Sequence, residues 1–173
     1  MTMLLETLKR QSGIASKLLH FHLDGLTTEE CLWRPAATGL HVYLQADGRW
    51  LADWPDSEAY AIGPASIGWL SWHLGYWLTM VIDHSCGSAV QERANICWPG
   101  DADRTIRWIG ELQSTWQDLI DNMDEAELLS DQRTNWPFEN RPFADIIAWS
   151  TVEMTKNASE IGYARFLYAS KNN

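Results

Sequence analysis

The sequence contains few basic residues and no cluster of them. It has 13 Lys and Arg against 23 Asp and Glu, which gives a formal net charge of -10. A protein that binds duplex nucleic acid or an anionic membrane surface needs a basic face to displace counterions from phosphates. We therefore expect neither a nucleic acid nor a membrane as a partner of this chain.

Several other common signatures are also missing. No apolar run approaches the roughly 20 residues that span a bilayer, and residues 1–6 lack the basic start of a signal peptide. The three cysteines, Cys31, Cys86 and Cys97, have no C-x-x-C spacing and are most simply reduced thiols. The sequence also has no G-x-S-x-G elbow and no Gly-rich phosphate loop. These absences predict a cytoplasmic protein that uses neither serine-hydrolase nor phosphate-loop chemistry.

Tryptophan, in contrast, is abundant, with 11 residues in a chain of 173. Tryptophan is a large anchor that is seldom fully buried, so this number indicates broad aromatic packing around a pocket or an interface. Most of these side chains are expected to fill the core. The chain length fits one domain, and we expect residues 1–173 to form it.

Four segments have the periodicity of long helices. The first runs from about residue 4 to residue 22, with Leu4 and Leu8 in its apolar stripe. The second covers residues 66–84 and is apolar nearly all round, which is typical of a central, buried helix. Pro64 stands where we expect the first helical position. The third is capped by Asp101 or Asp103, and the fourth follows the polar connection 124–140 and ends near Tyr168. This pattern predicts an all-α fold, an antiparallel four-helix bundle.

The stretch between the first two long helices does not have a helical pattern throughout. Thr27 and Glu30 have the spacing of a capping box, which predicts a short helix. Asp47-Gly48 is a hairpin turn dipeptide between residues 41–44 and 49–52. We therefore expect a hairpin-bearing insertion between helices 1 and 2, of the kind that often lines a site or an interface. We expect His20 and His41 at the surface.

The apolar stripe of the fourth predicted helix is interrupted by Glu153, Asn157 and Glu160. An unpaired carboxylate is costly to bury, so these groups need partners, water or a ligand. They are therefore candidates for a functional site. The alternative is that Glu153 and Glu160 are exposed at the edge of a groove and pair with Lys156.

One histidine, His73, lies in the apolar stripe of the second predicted helix. A lone histidine in a core is more often a hydrogen-bonded structural residue than a ligand. The carboxylates offered by the fourth helix favour the functional interpretation, because bundles build metal and acid/base sites from side chains on facing helices.

Three segments together resemble a known family, the DinB-like superfamily. Residues 64–75, PASIGWLSWHLG, resemble its second-helix motif, residues 26–35 the connection after its first helix, and residues 152–162 its last helix. The resemblance implies an antiparallel four-helix bundle, often a homodimer. It also implies that the better-understood relatives of this chain are metal-dependent thiol transferases or hydrolases.

The resemblance also implies a zinc or nickel ion bound by three histidines. His73 matches the first ligand position, but Lys156 and Glu160 occupy the other two. A protonated lysine has no lone pair and cannot bind a metal, and Asn157 or Glu153 could substitute only if the helix rotates. The metal site is therefore expected to be degenerate, and a bound metal is the less favoured alternative.

Two functions remain open at this point. In the first, the chain is a relative of thiol-dependent transferases or hydrolases and acts on a small molecule, with His73, Glu160 and Glu153 as catalytic residues. In that case His73, Glu160 and Asn157 would be the ligands of any metal. In the second, the chain is a non-catalytic binding bundle or a dimeric interaction protein without a metal. In both, the core pocket is expected to be lined by Trp69, Trp77 and Lys156.

Overall fold

The computed structural model describes residues 3–57, 59–87 and 89–171. The chain is mostly helical, as expected. The long helices are α1 (Met3–Leu23), α3 (Ile67–Cys86), α4 (Ala102–Asp121) and α6 (Phe143–Ser170). Between them lie two short helices, α2 (Thr28–Leu32) and α5 (Glu125–Leu129), and two strands, β1 (Val42–Leu44) and β2 (Trp50–Ala52). Among the described residues, no helix combines the length and the apolar character needed to cross a membrane.

The caps of α3 explain where this helix begins and ends. The Ser66 hydroxyl accepts a hydrogen bond from the Trp69 backbone N–H at 3.3 Å, so the helix starts at Ile67. Pro64 therefore precedes the helix and does not occupy its first position, contrary to the prediction. At the other end Gly87 adopts a left-handed conformation with φ 68°, which favours glycine. Residues 66–76 are all buried, as the apolar sequence predicted.

Other local predictions need correction. Leu5 is buried in the α1 core face whereas Leu4 is 44% exposed, so the apolar stripe begins at Leu5; Leu8 is buried, as predicted. The connection 124–140 contains α5, which begins with a capping box between Asp124 and Glu127. His41, expected at the surface, is buried directly before β1, and its backbone N–H donates to the Asp53 carboxylate at 2.8 Å.

Helix α3 packs antiparallel to α6. His73 contacts Asn157, and further along α3 Trp77 contacts Trp149, which lies earlier on α6. Helix α4 in turn runs antiparallel to α1, because Lys9 of α1 pairs with Asp121 and, further along α1, Ser16 contacts Gln113, which lies earlier on α4. These two helix pairs are antiparallel.

Helices α1 and α6, however, run in the same direction. Ser16 of α1 and Met154 of α6 both accept hydrogen bonds from Gln113, and one to two turns further on His22 lies beside Gly162. Consequently α3 and α4 are also parallel to each other, which gives an up–down–down–up order. The connection at residues 87–101 can span roughly 50 Å when extended, and a helix the length of α4 is about 30 Å long. The chain can therefore return to the starting end before α4 begins.

The predicted hairpin is formed by β1 and β2, which pair antiparallel with Tyr43 opposite Leu51. Tryptophan side chains then attach this hairpin and the other connections to α3. The Trp69 indole N–H donates to the Asp53 carbonyl oxygen at 2.7 Å, and the Trp72 indole N–H donates to the Ile96 carbonyl oxygen at 2.6 Å. Many of the tryptophans therefore have a structural role, because they hold long connections against a central helix.

Candidate functional site

A cavity of about 840 Å³ opens beside the first half of α3. Its walls come from residues 54–57, 59, 60 and 62–65, from α3 and from the second half of α6. The lining is mostly apolar and aromatic, with few polar side chains, which is the usual character of a small-molecule site. The aromatic residues in the lining are Trp54, Tyr60, Trp69, Trp77 and Tyr163, and the charged ones are Asp56, Lys156 and Glu160.

Helical spacing places Trp69, His73 and Trp77 on one face of α3, because residues four apart lie one above the other. The Trp69 and His73 rings are stacked, with centroids 4.7 Å apart and an interplanar angle of 13°. All three residues line the cavity. The histidine is thus held between two indoles of its own helix.

Both ring nitrogens of His73 make hydrogen bonds. The Trp77 indole N–H, which can only donate, lies 2.5 Å from Nε2, so Nε2 accepts. In a neutral imidazole Nδ1 then carries the proton, and it donates to Asn157 Oδ1 at 3.0 Å. The Asn157 amide nitrogen donates to the Glu153 carbonyl oxygen at 2.8 Å, which fixes the orientation of the amide. The network therefore specifies one tautomer of His73.

The burial of His73 also fixes its charge. Burial lowers the pKa of His73 to about 4; the hydrogen bond with Asn157 opposes this effect and the nearby Lys156 charge adds to it. The imidazole is therefore neutral at neutral pH. Since Nε2 accepts from Trp77, no lone pair of the ring is free in this arrangement.

The charged side chains of α6 are held less tightly. Lys156 Nζ lies 3.7 Å from Glu153 Oε2, which is too long for a good hydrogen bond, and this buried oxygen has no hydrogen-bond partner among the described residues. Glu160 lines the cavity one turn beyond Lys156. The Glu160 side chain is exposed overall, but it lies in the concave wall of the cavity. Desolvation there raises the pKa of Glu160, with a further increase from Glu153 that Lys156 opposes.

The structure thus brings the predicted site residues into one region with unequal contacts. His73 and Asn157 are hydrogen-bonded, and Trp69, Trp77, Lys156 and Glu160 line the cavity, whereas Glu153 lies outside the lining. Sequence reasoning missed the individual residues of the opposite wall, although the insertion was expected to line a site. The exposed aromatic residues of that segment, Trp54 and Tyr60, were the available signal.

These residues do not fit a divalent metal. At the three positions that the resemblance assigns to ligands, His73 has no free lone pair and Lys156 is a cation, which leaves Glu160 as the remaining donor. Asn157 Oδ1 is already bonded to the His73 ring. In the described part of the chain, no group of three or more His, Cys, Asp or Glu side chains is placed to hold a metal ion.

Comparison with curated proteins and with solved structures finds no match. A family model described as the DinB superfamily matches residues 14–161. This range covers most of the chain, including about half of α1, all of α3 and α4, and the part of α6 that carries Asn157 and Glu160. The segments that resemble the family in sequence are thus joined by a match that extends from α1 into α6. We conclude that this chain belongs to the DinB superfamily.

Proposed function

We propose that this chain is a DinB-like four-helix bundle that binds a small molecule in the cavity beside α3, without a resident metal. The observation that carries the proposal is the engagement of both His73 ring nitrogens at the wall of an aromatic cavity. A volume of about 840 Å³ is within the range of small-molecule sites, roughly 300–1,000 Å³. The proposal favours the non-catalytic alternative of the two functions considered above.

The proposal treats His73 as a positioning residue for the cavity wall. A pKa of about 4 makes the ring a weak base at neutral pH, and its Nε2 lone pair is used by Trp77. The same contacts that remove these chemical roles make the wall rigid, because His73 is stacked, hydrogen-bonded at both nitrogens and buried. A rigid wall reduces the entropy that a ligand must overcome on binding.

A second candidate is a metal-independent transferase or hydrolase relative that uses Glu160 as its acid/base group. The observation that favours it is the raised pKa of Glu160 at the cavity wall. The reaction of glutathione with 1-chloro-2,4-dinitrobenzene, in which the thiolate displaces chloride, provides an assay. This candidate requires an acceleration that disappears in Glu160→Gln, whereas the binding proposal expects no acceleration.

The binding proposal is tested with the neutral aromatic probe 1-naphthalenemethanol in isothermal titration calorimetry. We expect one site per chain with a dissociation constant on the order of 0.1 mM. Leu167→Trp fills part of the cavity and should abolish binding. Leu129→Trp, at a side chain that is 55% exposed on α5, is the matched control and should bind normally.

Two results would overturn the binding proposal. One is the absence of probe binding to the folded wild-type chain. The other is stoichiometric zinc or nickel, found by elemental mass spectrometry in protein purified without an affinity tag, that is lost in His73→Gln.

The homodimer and the cytoplasmic location also remain predictions. Exposed apolar side chains of α6 outside the cavity lining, Val152 and Phe166 at 64% and 72% exposed, support a second copy as a partner. Light scattering at micromolar concentration should give about twice the 19.8 kDa mass of the chain. A monomeric mass under these conditions would contradict the predicted homodimer.

A further inference from the structure

The charged side chains that line the cavity are unequally neutralised. Lys156 has its ammonium group directed to Glu153 at 3.7 Å. Asp56 and Glu160, which also line the cavity, form no ion pair with any residue that the structure describes. The described lining therefore carries two carboxylates against one ammonium group, and the charge of Lys156 offsets that of Glu160 only in part.

Aromatic rings surround these carboxylates. Trp54, Tyr60 and Tyr163 line the cavity and are exposed, so parts of their rings are open to a ligand. The face of an aromatic ring attracts a cation placed within about 6 Å of its centroid. The chain itself uses this attraction, because the Arg93 guanidinium lies 4.5 Å from the centroid of Trp54.

We propose that the ligand of this cavity is an organic cation, an ammonium or alkylated amine attached to an apolar body. Its charged group pairs with Glu160, and its apolar body packs against the tryptophans of α3. This inference rests on the proposed function and adds the chemical class of the ligand. A cation at this place also relieves the cost of keeping the Glu160 carboxylate ionised in a partly desolvated wall, which is the physical cause of its raised pKa.

Three probes of nearly equal size and different charge test the inference: 1-naphthylmethylammonium, 1-naphthalenemethanol and 1-naphthoate. Calorimetry at pH 7 should give an affinity for the ammonium about tenfold higher than for the alcohol. The naphthoate should bind more weakly than the alcohol. The order follows from the excess of carboxylates over free ammonium groups in the lining.

A variant at the proposed anchor separates charge recognition from apolar packing. Glu160→Gln keeps the shape and removes the charge, so it should lower the ammonium affinity about tenfold and change the alcohol affinity less than twofold. Glu111→Gln makes the same change of net charge at an exposed position of α4 outside the cavity lining and should leave both affinities unchanged.

The outcomes distinguish this inference from the proposed function. If the three probes bind with equal affinity, or the naphthoate binds best, the cavity binds small molecules but the cation inference is wrong. An equal loss of affinity in Glu160→Gln and Glu111→Gln would also overturn it, because the effect would then come from net charge. If no probe binds, the proposed function itself fails.

Discussion

Helix α6 carries charged side chains at two places, and their surroundings differ. Near its end, Arg165 donates to the Glu30 carboxylate at 2.9 Å. It also donates to the carbonyl oxygens of His22, Asp24 and Gly25, which lie at the end of α1 and directly after it. We call this the Arg165 network. The Glu30 carboxylate also accepts a hydrogen bond from the backbone N–H of Thr27, the N-cap residue of α2, so the network connects three helices.

The middle of α6 has no comparable network. Lys156 and Glu153 are 3.7 Å apart, one oxygen of Glu153 is buried without a hydrogen bond in the described structure, and Glu160 has no ion pair there. A charged group that holds a fold together is satisfied by fixed partners, as Arg165 is. Charges left without such partners beside a cavity are typical of groups that meet a ligand. The contrast therefore separates the structural part of α6 from the part that we assign to binding.

The largest expected effect comes from breaking the Arg165 network. Arg165→Met leaves Glu30, whose side chain is 11% exposed, as an uncompensated charge. We expect a loss on the order of 3–5 kcal/mol in the free energy of unfolding, measured by urea titration. Arg104→Met removes an exposed ion pair with Asp101 and should cost less than about 1 kcal/mol. Equal losses in the two variants would contradict the structural role of Arg165.

The second-largest effect on the free energy of unfolding is expected from the titration of His73. Its folded-state pKa of about 4 is below the ordinary value of 6.5, so the unfolded chain binds more protons between these two pH values. Stability is therefore fully present above pH 6.5 and decreases as the pH falls toward 4. At about 1.4 kcal/mol per pKa unit, lowering the pH from 7 to 5 should cost about 2 kcal/mol through His73.

Urea titrations at pH 7 and pH 5 measure this loss. His22 and His41 have lowered pKa values as well, through burial first and then through nearby arginines, and they act in the same direction. The contribution of His73 is therefore taken as the difference between the wild type and His73→Phe, in which nothing titrates at this position. An unchanged pH dependence in His73→Phe would show that the ring is not held neutral by the fold.

The smallest effect on stability is expected at Glu160. Glu160→Gln removes a charge that has no ion-pair partner in the described structure and a raised pKa, so the free energy of unfolding should change by less than about 1 kcal/mol or increase. Binding of the ammonium probe should fall at the same time. A destabilisation as large as that of Arg165→Met would place Glu160 in the structural part of α6 and remove the contrast.

The sequence was sufficient to predict those helices and strands whose signals come from neighbouring residues. The Thr27–Glu30 capping box, the Asp47-Gly48 hairpin and the buried α3 are all present in the structure. The Asp124–Glu127 capping box of α5 was an equally local signal that was overlooked. The relative directions of α1, α3, α4 and α6 were not predictable in this way, because periodicity indicates which face is buried and not which helix covers it.

The candidate site was predictable in part for the same reason. The polar residues Glu153, Asn157 and Glu160 interrupt an apolar stripe, which identified the region from residue type and spacing alone. The hydrogen bond between Trp77 and His73 depends on the rotamers of two side chains on one helix, and the sequence shows only that they are four residues apart. This bond uses the Nε2 lone pair of His73, so it decides how the histidine can act.

Trp77 and Asn157 occupy both ring nitrogens of His73, which leaves none for a metal. Nitrogen-15 NMR of the wild-type chain at pH 7 measures the protonation of each ring nitrogen directly. We expect a proton on Nδ1, an unprotonated and hydrogen-bonded Nε2, and no change when equimolar zinc or nickel is added. A proton on Nε2, or loss or displacement of the Nε2 signal on addition of the metal, would contradict it.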